Sequence, residues 1–272
     1  MKLALTVTPS PARFAPILVR GPVEDGLRLA AEFGYDGLEV HLRHPGDMDR
    51  VAAKKLAQQL GLGFCMIGTG MAAGEDGLTF VDPDPDVRRR AVERMLQQID
   101  LAGYLGAAVA VGLIRGSLGK DPVQRSIRLE WFLACTDACC RAALKAGVEL
   151  VIEPINRYET DFLNTVDEAL EAVLQVGSPA LKLLVDTFHM NIEEADILAS
   201  LRRAAPHLGH VHLVDSNRQV PGYGHVDTRG VLRVLHEVGY QGYLAFEALP
   251  LPNPRQAAED AARTVKGLLA GL

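Results

Sequence analysis

Four consecutive apolar runs in the second half of the chain each end on, or carry, a side chain that can bind a metal ion or move a proton. The runs end at Glu153, Asp186 and Glu247, and the run between the last two carries His210 and His212. Three carboxylates that converge on one point repel one another, and keeping them ionised is costly unless a cation lies between them. Oxygen ligands with one imidazole favour Mn²⁺, Mg²⁺ or Co²⁺ over a structural zinc ion. The pattern therefore predicts a divalent metal site.

Each of these residues alone has an ordinary structural explanation. A carboxylate at the end of a strand is often a helix cap or half of a surface salt bridge. A lone histidine on a strand is commonly a core residue whose polar atoms are satisfied. The metal hypothesis rests on the repetition, because four consecutive strands present such residues at the same point relative to their apolar runs. It therefore also requires an arrangement that brings the ends of these strands together.

The segments that follow these runs add further polar groups. Their hydrogen-bonding and charged side chains are Asn156, Glu159, His189, Arg218 and His225. Such a mixture suits a small polyhydroxylated ligand, and it also suits the stabilisation of an oxyanion beside a metal ion.

Two arginines are also expected near this site, because Arg43 and Arg115 follow the second and fourth predicted strands. A neutral sugar gives no reason for extra cations, whereas a guanidinium binds a carboxylate through two parallel hydrogen bonds. These arginines therefore favour a sugar-acid substrate. The alternative is a salt bridge with a nearby acid, such as Asp47 or Asp121.

The elements that position these residues follow a repeating pattern in which short β-branched runs alternate with longer helical patterns. One helix and its loops fill each gap, as parallel neighbouring strands require. The predicted strands are Leu3–Val7, Gly37–His41, Gly63–Ile67, Ala107–Gly112, Glu149–Glu153, Lys182–Asp186, His210–Val214 and Leu244–Glu247.

Helix boundaries carry their usual signals. Asp84 and the proline after it predict the start of a long helix that runs to about Gly103. Thr165 and Glu168 have the spacing of a capping box, and Gly177 is placed to end that helix.

Eight β/α units within 272 residues predict a single (β/α)8 TIM barrel over residues 1–272. In such a barrel the active site lies at the C-terminal ends of the strands, where the acidic and histidine residues fall. An open doubly wound sheet is the alternative. Its dinucleotide-binding version is disfavoured, because no G-x-G-x-x-G follows the first strand.

Composition narrows the class of protein. The net charge is −6, which disfavours a nucleic-acid partner. No apolar segment is long enough for a signal peptide or a membrane span, so a cytoplasmic location and no membrane partner are expected. Cys135, Cys139 and Cys140 lie within one segment but lack the paired spacing of a zinc site. These three and Cys65 are interpreted as small buried hydrophobic residues.

Three strings in the second half of the chain resemble a known family. They are Glu-Pro-x-Asn-Arg from residue 153, Asp-Thr-Phe-His-Met-Asn-Ile-Glu-Glu from residue 186, and His-x-His-x-x-Asp-Ser-Asn-Arg-x-x-Pro-Gly from residue 210. They are similar to the xylose-isomerase-like sugar isomerases and epimerases, in particular those of the D-tagatose and D-psicose (allulose) 3-epimerase type. The first half, with Ile67-Gly-Thr-Gly70 and Gly112-Leu-Ile-Arg-Gly116, resembles the 5-keto-L-gluconate epimerase branch of inositol catabolism.

The resemblance implies one divalent ion, most commonly Mn²⁺, held by Glu153, Asp186, His212 and Glu247. It also implies that Glu153 and Glu247 form the acid/base pair. Substrate oxygens would be contacted by Glu159, His189 and Arg218. A homo-oligomer, either a dimer or a tetramer, is the family's usual assembly.

The expected function is a metal-dependent epimerase that inverts the carbon next to the carbonyl of a ketose or keto-sugar acid. The substrate would be of the 5-keto-L-gluconate/D-tagaturonate or the D-tagatose/D-psicose type. Proton transfer by the two glutamates through a cis-enediolate accounts for inversion, because epimerisation needs a base on each side of one carbon. An aldose–ketose or hydroxypyruvate-type isomerase is the main alternative. More remote alternatives are an abasic-site endonuclease on the same barrel and a non-catalytic carbohydrate-binding barrel.

Overall fold

Short apolar strands pair in parallel around a closed ring in the computed structural model, which describes residues 1–11 and 16–272. Buried parallel strands are expected to read as nearly continuous apolar runs, as they do here. The strands are β1 (Lys2–Thr8), β2 (Val19–Arg20), β3 (Gly37–His41), β4 (Gly63–Gly68), β5 (Ala108–Val111), β6 (Leu150–Ile152), β7 (Leu181–Asp186), β8 (Leu208–His212) and β9 (Tyr243–Ala245).

The ring closes because β1 pairs with β3 on one side and with β9 on the other. Leu5 lies opposite Leu38 in the first pairing, and Leu3 lies opposite Leu244 in the second. The two-residue β2, which the sequence did not predict, adds to the far end of β1. An open doubly wound sheet would keep two unpaired edges, so closure confirms the predicted TIM barrel and excludes that alternative.

Helices connect successive strands, and most of them cover the outside of the barrel. They are α1 (Val23–Phe33), α2 (Arg50–Gln59), α3 (Gly70–Gly74), α4 (Pro85–Leu105), α5 (Pro122–Ala146), α6 (Val166–Val176), α7 (Thr187–Glu193), α8 (Ile197–Ala204), α9 (Thr228–Glu237) and α10 (Pro254–Leu269).

The predicted helix signals are largely confirmed. Asp84 caps α4, but the helix continues past Gly103, and the residue that ends it is Gly106 with a φ of 79°. The helix therefore extends two residues past the predicted end at about Gly103, because a left-handed residue that satisfies the last carbonyls is what ends it. Thr165 caps α6 as expected, whereas the Glu168 carboxylate accepts from the Asn164 N–H and not from Thr165.

The barrel has two apolar layers. Residues that face outward from the strands pack against the helices in one large core. A smaller cluster fills the barrel interior and includes Ala4, Met66, Ala110, Leu184 and Ala245. Three of the seven buried residues of this cluster are alanine, whose small side chains leave room inside the barrel for polar ones.

The cysteines agree with their interpretation as small hydrophobic residues. Cys65, Cys139 and Cys140 are buried, Cys135 is partly buried, and all four are free thiols. Within residues 1–11 and 16–272, none of the helices combines the length and the apolar character needed to cross a bilayer.

Candidate metal centre and active site

The structure brings Glu153, Asp186, His212 and Glu247 together at the C-terminal end of the barrel. One ligand atom of each lies within 4.8 Å of the corresponding atoms of the others. Asp186 and His212 end their strands, whereas Glu153 and Glu247 follow the last paired residues of β6 and β9. Asp186 is completely buried, and Glu153 and His212 are nearly so.

Three of the four atoms that point at the shared centre have no hydrogen-bond partner. Glu153 Oε1, Asp186 Oδ2 and His212 Nδ1 are buried without a hydrogen bond. His212 Nδ1 lies 3.6 Å from Glu153 Oε1, 3.8 Å from Asp186 Oδ2 and 3.9 Å from Glu247 Oε2. Ligands about 2.1 Å from a small divalent cation lie about 3 to 4 Å from one another. Unpaired buried polar atoms are costly, so this donor set fits a cation at the centre.

Neighbouring backbone fixes the orientation of Asp186. Its Oδ1 accepts the Phe188 N–H at 2.7 Å and so caps α7, which leaves Oδ2 directed at the site. Thr187 ties the same turn to the next strand, because its hydroxyl accepts the Val214 N–H at 2.8 Å. One carboxylate therefore acts both as a helix cap and as a candidate metal ligand.

Asn156 orients His189 toward the site. The Asn156 side-chain amide donates to His189 Nδ1 at 2.7 Å and to Glu159 Oε1 at 3.0 Å. Because Nδ1 accepts, the His189 proton is assigned to Nε2. That nitrogen lies 3.8 Å from Glu153 Oε1 and 3.9 Å from Asp186 Oδ2.

Arg218 lies on the other side of the cavity and is held by two carboxylates. Its guanidinium donates to Glu159 at 2.7 Å and to Glu247 at 3.4 Å, and it lies over the Phe188 ring at 4.7 Å. Its backbone has a φ of 59°. A left-handed conformation is costly for a residue with a side chain and persists only where the surroundings hold it. The buried Asp215 carboxylate supplies that support, because it accepts three backbone N–H groups of the same loop, from Ser216, Gly222 and Val226.

A cavity that opens to solvent is lined by six of the site residues, which are Glu153, Glu159, His189, His212, Arg218 and Glu247. The lining also has apolar side chains, which are Pro16, Ile17, Met66, Met71, Leu113 and Ile155. His225, which the sequence also suggested, lies outside this cavity and bonds to Ser216.

The carboxylates do not share one electrostatic environment. Burial raises the pKa of Glu153, but His212 and His189 outweigh burial and hold that pKa below its ordinary value. Burial and the nearby Glu153 charge raise the pKa of Glu247 despite His212, His41 and Arg218. Opposite pKa directions are typical of a pair in which one group takes a proton while the other gives one.

The structure does not bring the two predicted rim arginines into the cavity. Arg43 donates from Nε and a terminal nitrogen to Asp76 at 2.8 and 2.5 Å, so its partner is an acid other than Asp47 or Asp121. Arg115 is completely buried and donates to the carbonyls of Glu153 and Leu163. Burial lowers the pKa of Arg115 to about 10, so the side chain is still a cation at neutral pH.

Sequence reasoning missed Glu39 and His41 and attached no role to His210. All three are buried, and Glu39 contacts both histidines and His212. The sequence carries one signal for Glu39, which is that an acidic residue lies inside the predicted strand Gly37–His41.

Comparison with known proteins places this geometry in a family. Residues 27–268 match the model of the xylose isomerase-like TIM barrel. The L-ribulose 3-epimerase of Mesorhizobium japonicum is 33% identical over 83% of this chain and 75% of the relative. The 3-dehydro-D-guloside 4-epimerase of Escherichia coli is 33% identical over 90% of this chain and 92% of the relative.

A solved structure agrees with these relatives. The crystal structure of the D-allulose 3-epimerase from Methylomonas sp. in complex with D-allulose superposes with a TM-score of 0.80. The sequences are 25% identical, and the match covers 98% of this chain and 97% of that one.

Proposed function

Because the chain belongs to the xylose isomerase-like TIM barrel family, we propose that it is a carbohydrate epimerase that inverts the carbon next to a substrate carbonyl. Relatives named as 3-epimerases and as a 4-epimerase support this reaction class. The observation that carries the proposal is that two carboxylates, Glu153 and Glu247, reach one centre from strands that β7 and β8 separate.

Four residues would hold a divalent ion: Glu153, Asp186, His212 and Glu247. The donor set favours Mn²⁺, with Mg²⁺ or Co²⁺ as alternatives. When bound, such an ion polarises the substrate carbonyl and stabilises the negative charge that develops on its oxygen.

The chain's own residues supply the proton transfers. One of Glu153 and Glu247 takes the proton from the carbon next to the carbonyl, and the other returns a proton to the opposite face of the cis-enediolate. His189 Nε2–H and the Arg218 guanidinium face the same cavity and are placed to donate hydrogen bonds to substrate oxygens. Glu159 holds Arg218 at 2.7 Å and is itself available to a substrate hydroxyl.

The charge of the cavity favours a neutral ketose over a keto-sugar acid. Among the described residues that line it, Arg218 is the one arginine or lysine, and Glu159 and Glu247 already engage it. A substrate carboxylate would find no free guanidinium among these lining residues to receive it. The apolar residues of the lining suit the carbon backbone of a sugar chain.

A substrate panel on protein reconstituted with Mn²⁺ tests this proposal. L-Ribulose and D-allulose represent neutral ketoses, and 5-keto-L-gluconate and D-tagaturonate represent keto-sugar acids. We expect higher kcat/KM on at least one neutral ketose, with an epimeric ketose as product. Higher kcat/KM on the keto-sugar acids would overturn the proposed class of substrate. An aldose product would show that the enzyme is an isomerase and not an epimerase.

The expected dimer or tetramer, the cytoplasmic location and the single-domain organisation stay predictions.

A further inference from the structure

A second polar cluster lies inside the barrel on the far side of His212 from the candidate metal centre. Its hub is Glu39 on β3, which is completely buried. The Nε2 atoms of three histidines surround the Glu39 carboxylate, at 2.6 Å for His41, 2.7 Å for His210 and 3.1 Å for His212.

The distances identify this cluster as hydrogen-bonded and not as a second metal site. Nitrogen and oxygen ligands about 2.0 to 2.1 Å from a tetrahedral cation lie about 3.3 Å apart. The contacts of His41 and His210 with Glu39 are clearly shorter and have the length of a charge-assisted N–H···O bond. The three nitrogens therefore share the carboxylate itself as their acceptor.

This arrangement fixes which ring nitrogen carries a proton. An ionised carboxylate accepts only, so each histidine must donate from Nε2. In His212 this leaves Nδ1, the atom that faces Glu153, Asp186 and Glu247, free to bind a cation.

His41 extends the same cluster to the second glutamate of the site. Its Nε2 contacts Glu39, and its Nδ1 lies 3.8 Å from Glu247 Oε1 in the cavity wall. Gly68 on the neighbouring strand makes room for this ring, because a Cβ at that position would collide with it. One buried carboxylate thus holds a candidate metal ligand, His212, and a second histidine, His41, that lies beside the candidate acid/base residue Glu247.

We propose that Glu39 is a positioning residue that sets the orientation and tautomer of His212 and His41, and so the metal affinity of the site and the placement of Glu247. The inference rests on the proposed metal site. Partners that orient a metal-bound histidine through its other nitrogen generally contribute 10- to 100-fold to metal affinity or activity.

Mn²⁺ titration by calorimetry on the full chain tests the proposal. Glu39→Gln keeps the size of the side chain but brings an NH2 group that must face a histidine N–H. We expect Mn²⁺ binding to weaken by about 10- to 100-fold. Glu194→Gln is the matched control, since Glu194 is a glutamate that bonds to Val166 and Ser200 outside the cavity. Its Mn²⁺ affinity should equal that of the wild type.

Nitrogen-15 NMR of the histidine rings provides a readout that needs no variant. In wild-type protein, without metal and with Mg²⁺, Nε2 should carry a proton in His41, His210 and His212. A proton on Nδ1 alone in His212 or His41 would overturn the proposal. So would unchanged Mn²⁺ affinity in folded Glu39→Gln, or two Mn²⁺ ions bound per chain.

Gly68→Ala separates the two branches of the cluster and serves if Glu39→Gln does not fold. It displaces His41 but keeps the Glu39 and His212 side chains, so kcat should fall while Mn²⁺ binding weakens less than in Glu39→Gln, because Glu247 is then the one ligand affected. Unchanged kcat would contradict the role of His41. If the wild type binds no Mn²⁺, the proposed function fails, and the NMR result still decides the positions of the protons.

Discussion

Inversion at one carbon requires a proton acceptor on one face and a proton donor on the other. Glu153 and Glu247 meet this requirement geometrically, because they reach the candidate centre from different parts of the barrel rim. Their pKa values also move apart, since Glu153 has two histidines beside it whereas burial and Glu153 itself raise the pKa of Glu247. At the scale of single residues, the account therefore depends on this pair.

Replacing either glutamate should remove turnover without unfolding the barrel. A positioned acid or base contributes about 10²- to 10⁴-fold to rate, so we expect kcat of Glu153→Gln and of Glu247→Gln to fall by at least about 10²-fold. Steady-state kinetics with circular dichroism as a check on folding provides the measurement.

Glu149→Gln is the matched control for this pair. Glu149 is exposed and precedes the same strand that Glu153 follows, at the opposite end of the barrel. Its kcat should match the wild type. Near-wild-type kcat in either site variant would contradict the two-glutamate scheme.

At the scale of elements, strand ends explain why much of the site was predictable. An apolar run must stop where a barrel strand leaves the core. The sequence therefore predicts that Glu153, after Ile152, and Asp186 lie at the C-terminal end of the barrel. Parallel strands in a closed barrel bring such ends together, whatever their separation along the chain.

Other parts of the site depend on which way a side chain turns, and the sequence carries no direct signal for this. Glu39 and His41 point into the barrel from the middle and end of β3, so they look like ordinary strand residues. Arg115 follows β5 as expected. It lies in a short helical turn, and its guanidinium donates to the carbonyl of Glu153, the residue after β6. Arg43 is on the rim, and Asp76 from a distant loop engages it.

Arg115 should therefore act on stability and not on recognition of a substrate carboxylate. Arg115→Met leaves the buried carbonyl of Glu153 without a donor, at about 1 to 3 kcal/mol for an unsatisfied group, whereas the carbonyl of Leu163 keeps the Ile155 N–H. For a chain of this size we expect the melting temperature to fall by about 5 °C or more, as measured by calorimetry.

Arg43→Met is the comparison for this prediction. Its side chain is 47% exposed, and an exposed ion pair contributes less than about 1 kcal/mol, so the melting temperature should change little. Equal melting temperatures for the two variants would contradict the anchoring role of Arg115.

At the scale of the whole molecule, a bound ion would join the ends of four strands, three of which supply carboxylates that otherwise repel one another. A ligand that binds only the folded state stabilises it by about 2.7 kcal/mol at 100 times its dissociation constant. Saturating Mn²⁺ should therefore raise the melting temperature of chelator-treated protein by about 5 to 10 °C.

Asp186→Asn provides the control for this metal effect. Asp186 is completely buried and directs one unpaired oxygen at the centre, so its loss should abolish most of the Mn²⁺-dependent shift. Scanning calorimetry of both proteins, with and without the ion, gives the comparison. An equal shift in the variant would place the binding of Mn²⁺ elsewhere on the protein.

The central claim, proton exchange at the carbon next to a ketose carbonyl by two glutamates, is tested most directly in heavy water. Protein loaded with Mn²⁺ is incubated with L-ribulose or D-allulose, and the position of deuterium in substrate and product is read by NMR. The account predicts deuterium at carbon 3, together with formation of the carbon-3 epimer. Deuterium at carbon 1 with an aldose product, or an epimer formed without deuterium from solvent, would contradict it.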